Sequence, residues 1–375
     1  MLDALIAQLP GAKIDENGKI TVNGEFIESL LLNGKEFFKG DNKVMLDNIG
    51  AYTVKNIQVY KGHTQREKWT NDPIPPQHLT MDVKLKKEYS NTWIINAQGG
   101  YGTSERYLER LFASWFSPKT TIAVSANANN LNDNRQPGKS DSWTPESMPS
   151  GESKNTTAAL TYDHTNKSET LKFNGSLSAI SASTDYNSST SRVNFLSSGN
   201  TFDRSFSNSN TRMFNISTMH DVYYCKSNSY AGGLDFNANY CKNKNSSSAI
   251  SGTFNREYAD MSRQALEAIY SAPAPGVLES VINRSITRSN GDSHSSLISA
   301  SPFFSYTIPN TNDALTASAV INYNNSKANL WNDYDINFGS DPEPAQLRRQ
   351  YTDNSPNYTL SMRGNITYRW TMKRS

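Results

Sequence analysis

No run of about twenty consecutive apolar residues occurs in the 375-residue chain, so a transmembrane helix is excluded. Apolar residues are scarce throughout, at 36% of the sequence, and mean hydropathy is −0.66. An excess of one charge is missing as well. Lys and Arg total 37 against 35 Asp and Glu, and no basic block or basic face stands out, which argues against a nucleic-acid partner. Cysteine is almost absent, with two residues, and histidine is sparse, with five. What the chain does have is Ser, Asn, Thr and aromatic residues. With 19 Tyr, 15 Phe and 6 Trp it is too aromatic for an ordinary disordered polar sequence. Polar, aromatic-rich and free of long apolar runs is the composition of a membrane β-barrel, in which half of each strand faces lipid and half faces a wet lumen.

The first sixty-odd residues differ from the rest. Leu2, Leu5, Ile6 and Leu9 recur at helical spacing, and Pro10-Gly11 stops that helix. Asp15-Glu16-Asn17-Gly18 is a turn, Lys19–Val22 a short strand, and Asn23-Gly24 a second turn. Leu30-Leu31-Leu32 is a buried strand closed by Asn33-Gly34. Asp41 caps a short helix carrying Val44, Met45, Leu46 and Ile49, and Val54, Ile57, Val59 and Tyr60 form a last strand. A unit this small is marginal alone and is expected to pack inside something larger.

These residues resemble a known family. Leu9-Pro10-Gly11, Gly18-Lys19-Ile20-Thr21-Val22-Asn23-Gly24, Leu32-Asn33-Gly34-Lys35-Glu36-Phe37-Phe38 with Gly40-Asp41, and Val54-Lys55-Asn56-Ile57-Gln58-Val59-Tyr60 stand in the order and spacing of one domain. It is similar to the plug domain of TonB-dependent-receptor-like outer membrane proteins of the Bacteroidetes type. Leu79–Tyr89 resembles the first barrel strand after that plug. Gly99–Tyr107 and Ala128–Asp133 resemble the opening of the barrel. The match covers Leu9–Asp133 and is compositional beyond it.

Residues 62–77 are polar and contain Pro73-Ile74-Pro75-Pro76, so the linker between domains belongs there. Beyond it the period changes to two. Trp93–Tyr101, Ile122–Ala128, Leu171–Ala179, Tyr230–Tyr240, Leu315–Tyr323 and Tyr358–Trp370 all alternate apolar with polar. Segments of roughly nine to thirteen residues fit tilted membrane strands better than soluble ones. Lys226–Ser229 is expected as a tight periplasmic turn. Asn130–Asn155 and Asn239–Ser251 are expected as long outer connections, and residues 260–272 as a small helix in an outer loop. The expected fold is mainly β. It comprises an α/β plug domain (1–61), the linker (62–77) and the N-terminal portion of an antiparallel transmembrane β-barrel (78–375) with roughly ten to twelve strands.

The resemblance also sets expectations that the chain does not meet. Met1 is followed directly by an amphipathic helix, with no signal peptide. The family's transporters have about twenty-two strands, and its barrels end on an aromatic residue, where this chain ends Thr371-Met372-Lys373-Arg374-Ser375. A fragment is therefore expected.

Candidate chemistry is thin. Cys225 and Cys241 fall out of register across the 227–228 turn, which favours free thiols. His63, His78, His164, His220 and His294 are scattered without metal-ligand spacing. Gly99-Gly100-Tyr101-Gly102 has no Lys-Ser/Thr behind it and is read as glycines that bend a strand or sit against the plug. Glu105, Arg106, Glu109 and Arg110 read as a solvated turn, and Arg363 and Arg369 share the polar face of the last strand. With no nucleophile–base pair and no carboxylate dyad, no catalytic, cofactor or metal residue is assigned and an enzyme is not expected. The resemblance implies an outer membrane receptor that takes up a small ligand, unidentified from the sequence, through a plugged barrel. Its partners would be outer membrane lipid and a TonB-type energy-coupling system, whose contact segment this chain lacks. The alternatives are a non-transporting adhesion or structural barrel, or a non-functional truncated fragment.

Overall fold

The computed structural model of the chain describes residues 1–15, 18–36, 42–63, 77–132, 151–227, 229–257, 262–271, 276–311, 313–339 and 346–370. The N-terminal unit begins with helix α1 (Leu2–Ile6), shorter than the spacing of Leu9 suggests, because Gln8 and Leu9 already make i→i+3 turn bonds toward Pro10-Gly11. Strands β1 (Ala12–Ile14), β2 (Ile20–Val22) and β3 (Glu25–Phe26) form one small sheet. A second, four-stranded sheet contains β4 (Ser29–Leu32), β5 (Lys35–Glu36), β6 (Val54–Gly62) and β7 (His78–Leu85), in the order β5-β4-β7-β6. Helix α2 (Asn42–Asn48) carries Met45 and Leu46, which are buried with Ile49. The expected cap Asp41 and most of the 62–77 linker lie outside the described residues.

The tight turns follow from the sequence. At both Asn23-Gly24 and Asn33-Gly34 the two central residues have positive φ, 52° and 84° in the first and 52° and 80° in the second. That is the geometry of hairpin turns whose twist matches the flanking strands, and Asn-Gly supplies it at least steric cost.

One expectation fails here. Leu79–Tyr89 is not the first strand of the large sheet. His78–Leu85 runs parallel to Ser29–Leu32 and antiparallel to Val54–Gly62, inside the N-terminal unit. The reason is burial: Met81, Val83 and Leu85 join the core of that unit, and Asp82, 2% exposed, is held there by the Gly34 amide and the Lys84 ammonium. A strand buried on both faces belongs between other strands and cannot open a wall with one wet side.

The rest is one antiparallel sheet. Its first strands are β8 (Thr92–Tyr101), β9 (Tyr107–Phe116), β10 (Thr120–Asn129), β11 (Glu152–Thr165) and β12 (Leu171–Asn194). β13 (Thr201–Ser227), β14 (Tyr230–Phe254), β15 (Val281–Thr307) and β16 (Ala314–Phe338) follow, each paired with its sequence neighbour. β17 (Gln346–Asp353) and β18 (Asn357–Arg369) both pair with β16, end to end. Residues 354–356 face only 327–328 of β16, so this edge strand carries a one-residue bulge with Pro356 in it, a place where a missing N–H is tolerated. Among the described residues β8 and β18 do not pair, and the sheet is open.

Strand length departs most from expectation. β12 to β16 have 24 to 27 residues each. Asn239–Ser251, expected as a connection, is strand, with register to β13 and β15 along its whole length. Beyond the apolar band Ser, Asn, Thr and charged residues predominate on both faces, with apolar residues such as Phe206 and Ile250 gathered near the helix that follows β14, so the alternation weakens while the backbone ladder continues. The expected helix near 260–272 is present as α3 (Arg263–Ser271). Its Leu266 and Ile269 form a second, small core with Phe254 and Val281.

Candidate functional site

The sheet has two chemically different faces. One cross-strand row runs Ile95, Ala113, Val124, Leu160, Leu177, Thr218, Ala238, Ile298, Tyr323 and Leu360, one residue from each strand position. The adjacent row on the opposite face runs Ile94, Ser114, Ala123, Thr161, Ser176, Met219, Asn237, Ser299, Asn322 and Ser361. The first face leaves its large apolar residues exposed, and a contiguous apolar surface of that breadth marks contact with something apolar.

Aromatic rows bound this band. Trp93, Trp115, Tyr162, Phe173, Tyr224, Tyr230, Phe304 and Tyr368 lie toward the short turns, and Tyr101, Phe214, Tyr240 and Tyr358 toward the strand extensions. Tyr230 and Tyr240, and likewise Tyr358 and Tyr368, are ten positions apart on one face. Ten residues of a strand tilted by about 40° rise about 25 Å, the height of the apolar band of an outer-membrane barrel.

His220 faces this band yet is closed off. Its Nδ1 is 2.7 Å from the Tyr162 hydroxyl, its Nε2 meets the Thr218 hydroxyl, and Phe236 stacks on the ring. Gly175, opposite His220, makes room for the Tyr162 bond, since a Cβ there would stand 2.5 Å from His220 Nδ1 and 2.8 Å from the Tyr162 oxygen.

The N-terminal unit packs on the other face. Phe112, Phe116 and Ala123 of the wall enter the same buried core as Leu2, Ile6, Leu30, Leu32, Met45, Leu46 and Ile49. One charged junction accompanies this apolar contact. Lys35, placed by the Asn33-Gly34 turn, lies 3.5 Å from Asp163 of β11, whose other oxygen is 3.2 Å from Lys172 of β12. The three side chains are 15%, 3% and 5% exposed. They sit at ion-pair distance without hydrogen-bond geometry. Burial, opposed by the attraction of Asp163, holds Lys35 below the usual lysine range. Two lysines share one carboxylate, so the junction carries a net positive charge in a largely dry place.

Further along the wall, in the row of Asp163, Asn174 is followed by Asp221 and Asp235, directly opposed across β13 and β14. The Tyr223 hydroxyl donates to Asp235 at 2.7 Å. The sequence reading missed this row and the Lys35 junction, because both depend on registers between distant segments.

The residues singled out in the sequence are dispersed. Cys225 pairs with Ala231 in register and Cys241 with Asn215, and both are free thiols. His78 meets Glu28, and His164 lies 2.8 Å from the Thr120 hydroxyl. Gly99 and Gly100 lie on edge strand β8, and no described atom stands within 4 Å of where a Cβ would be at either. Glu105 and Arg106 are in a turn, where Arg106 bonds Glu152 at 2.9 Å, but Glu109 and Arg110 belong to β9. Arg363 and Arg369 share the inner face of β18, several strands from Asp163. No group of three or more potential metal ligands occurs among the described residues.

No protein-family model matches the chain, and no curated protein does. Solved structures similar to it include the ferric yersiniabactin uptake receptor FyuA from Yersinia pestis, at 10% identity and a TM-score of 0.22, covering 98% of this chain and 58% of that one. BauA, the ferric preacinetobactin receptor from Acinetobacter baumannii, is 11% identical with a TM-score of 0.28, covering 95% of this chain and 70% of that one. The copper transporter OprC is 10% identical with a TM-score of 0.20, covering 99% and 74%. The chain thus spans 58% of the length of the first of these receptors.

Proposed function

We propose that this chain is the plug and part of the wall of a non-enzymatic outer membrane receptor, and that a small ligand enters past the plug. The observation that carries this reading is the division of the sheet into two faces. An N-terminal unit is packed on the wet face, and an apolar band about 25 Å high, bounded by aromatic rows, covers the other. In this reading the plug takes in residues 1–85, β7 included, and the wall starts at residue 92, a division that the strand pairing supports. Ligand binding at the strand extensions loosens the plug, and a TonB-type partner pulls on it from the side of the short turns.

A second reading has its own support. Strands of 24 to 27 residues project well past the apolar band, which suits an adhesive or structural barrel whose plug never moves. Hydrogen exchange of β4 to β7, measured on the membrane-inserted chain against a panel of metal chelates, oligosaccharides and peptides, separates the two. Transport requires that one class accelerate exchange in these strands. A plug unaffected by every member of the panel supports the structural barrel.

A further inference from the structure

Toward the strand extensions the apolar face gives way to polar residues, and on β13 to β16 the first charged row there is cationic. Next to the row Ile216, Tyr240, Ser296 and Asn325 comes the row Phe214, Lys242, His294 and Lys327, one residue from each of β13 to β16. The row after it holds Arg212 and Lys244, followed by Asp292, Asn329 and Asp353. Lys244 and Lys327 have acidic neighbours, Asp292 at 3.7 Å and Asp353 at 3.5 Å. Arg212 and Lys242 have no ion pair among the described residues. The nearest carboxylate in the row of Lys242 is Glu109, four strands from Phe214 on β9. On β13 to β16 the first charged side chains beyond the apolar band are therefore cations, with Lys242 next to Tyr240 along β14, and the carboxylates of Asp292 and of Asp353 on β17 come one row later.

We propose that Arg212, Lys242, Lys244 and Lys327 form a collar for the phosphate groups of anionic lipids in the leaflet on the side of the strand extensions. The proposal rests on the membrane reading of the apolar face. Its physical basis is position. Lysine and arginine stems can lie along the last apolar row while their heads reach the headgroup layer. Each cation near an anionic surface adds about 1 kcal/mol of attraction, screened within a Debye length. Phosphate oxygens accept hydrogen bonds from ammonium and guanidinium groups, and the exposed ion pairs of Lys244 and Lys327 are weak enough to be exchanged for them.

The test is insertion of the full 375-residue chain, diluted from urea, into vesicles of phosphatidylcholine alone or with one third phosphatidylglycerol. Tryptophan fluorescence and protection from external protease report insertion. The wild-type chain should favour anionic vesicles at low salt and lose that preference at high salt. Replacing Arg212→Gln and Lys242→Gln together should reduce the preference about fivefold for each cation removed. The control pair Lys13→Gln and Lys55→Gln, exposed on the N-terminal unit, should leave it intact. Equal insertion of wild type into both vesicles overturns the collar, and so does equal loss in the double variant and the control pair. Should the double variant fail in neutral vesicles too, Arg212→Lys with Lys242→Arg decides: the preference must survive, and its loss overturns the collar. Failure of the wild type in both vesicles overturns the membrane reading itself.

Discussion

Lys35, Asp163 and Lys172 place two cations and one anion where little water reaches. Removing the shared anion leaves two buried ammonium groups facing each other, so Asp163→Asn should destabilise the junction by about 3–5 kcal/mol. Lys35→Met leaves a neutral Asp163–Lys172 pair and should be neutral or stabilising. Urea unfolding of the N-terminal unit, followed by exchange of the β4 amides, measures both. The pH dependence has a definite sign. Burial holds Lys35 below its ordinary value of 10.5, so between the lowered value and 10.5 the unfolded chain binds a proton that the folded chain releases. Stability should rise with pH across that window in wild type and stay flat there in Lys35→Met. A wild-type curve that falls through the window would contradict the burial. Gly175 offers a second check at this scale. Gly175→Ala puts a methyl group where Tyr162 meets His220, and the Tyr162 hydroxyl bond should be lost, with an unfavourable change of about 1–3 kcal/mol in thermal stability.

Among the elements, the Asn33-Gly34 hairpin links local sequence to long-range placement. Its two positive φ values fix the start of β5, and that start aims Lys35 at the wall. The turn was legible from the residues, and so were α2, β4, β6 and the alternating part of every strand tested. The target of Lys35 was not, because a register between residues 35 and 163 has no local signal. The position of β7 was misread for a related reason: Met81, Val83 and Leu85 alternate as well as any wall strand, and only the parallel partner β4 shows where they lie. Strand length was underestimated because hydrophobic alternation reports burial on one face, and burial stops before the hydrogen-bond ladder does. Amides of Lys242–Ser248 should therefore exchange slowly, as a paired central strand does, although their side chains are polar; fast exchange there would mean that the extension is a loop. The outer end of the extension is held by Phe254 under α3. Phe254→Ala removes the largest buried side chain of that small core and should cost about 3–5 kcal/mol locally. Faster tryptic cleavage at Arg256 and Arg263, with the apolar band unaffected, is the expected readout.

For the whole molecule, the account depends on one sheet having a wet face that holds the N-terminal unit and a dry face that meets lipid. The composition pointed to this from the start, since few apolar residues and many aromatics suit a wall one residue thick. Registers across ten strand positions turn that composition into two faces, with Leu234, Phe236, Ala238 and Tyr240 on one and Asp235, Asn237 and Asn239 on the other. The most direct test replaces Cys225 and Cys241 by Ser and introduces single cysteines from Leu234 to Tyr240. Each is labelled with an environment-sensitive fluorophore in the vesicle-inserted chain and quenched by spin-labelled lipid. The account predicts quenching at the even positions and none at the odd ones. Quenching at neither set, or equally at both, would contradict it.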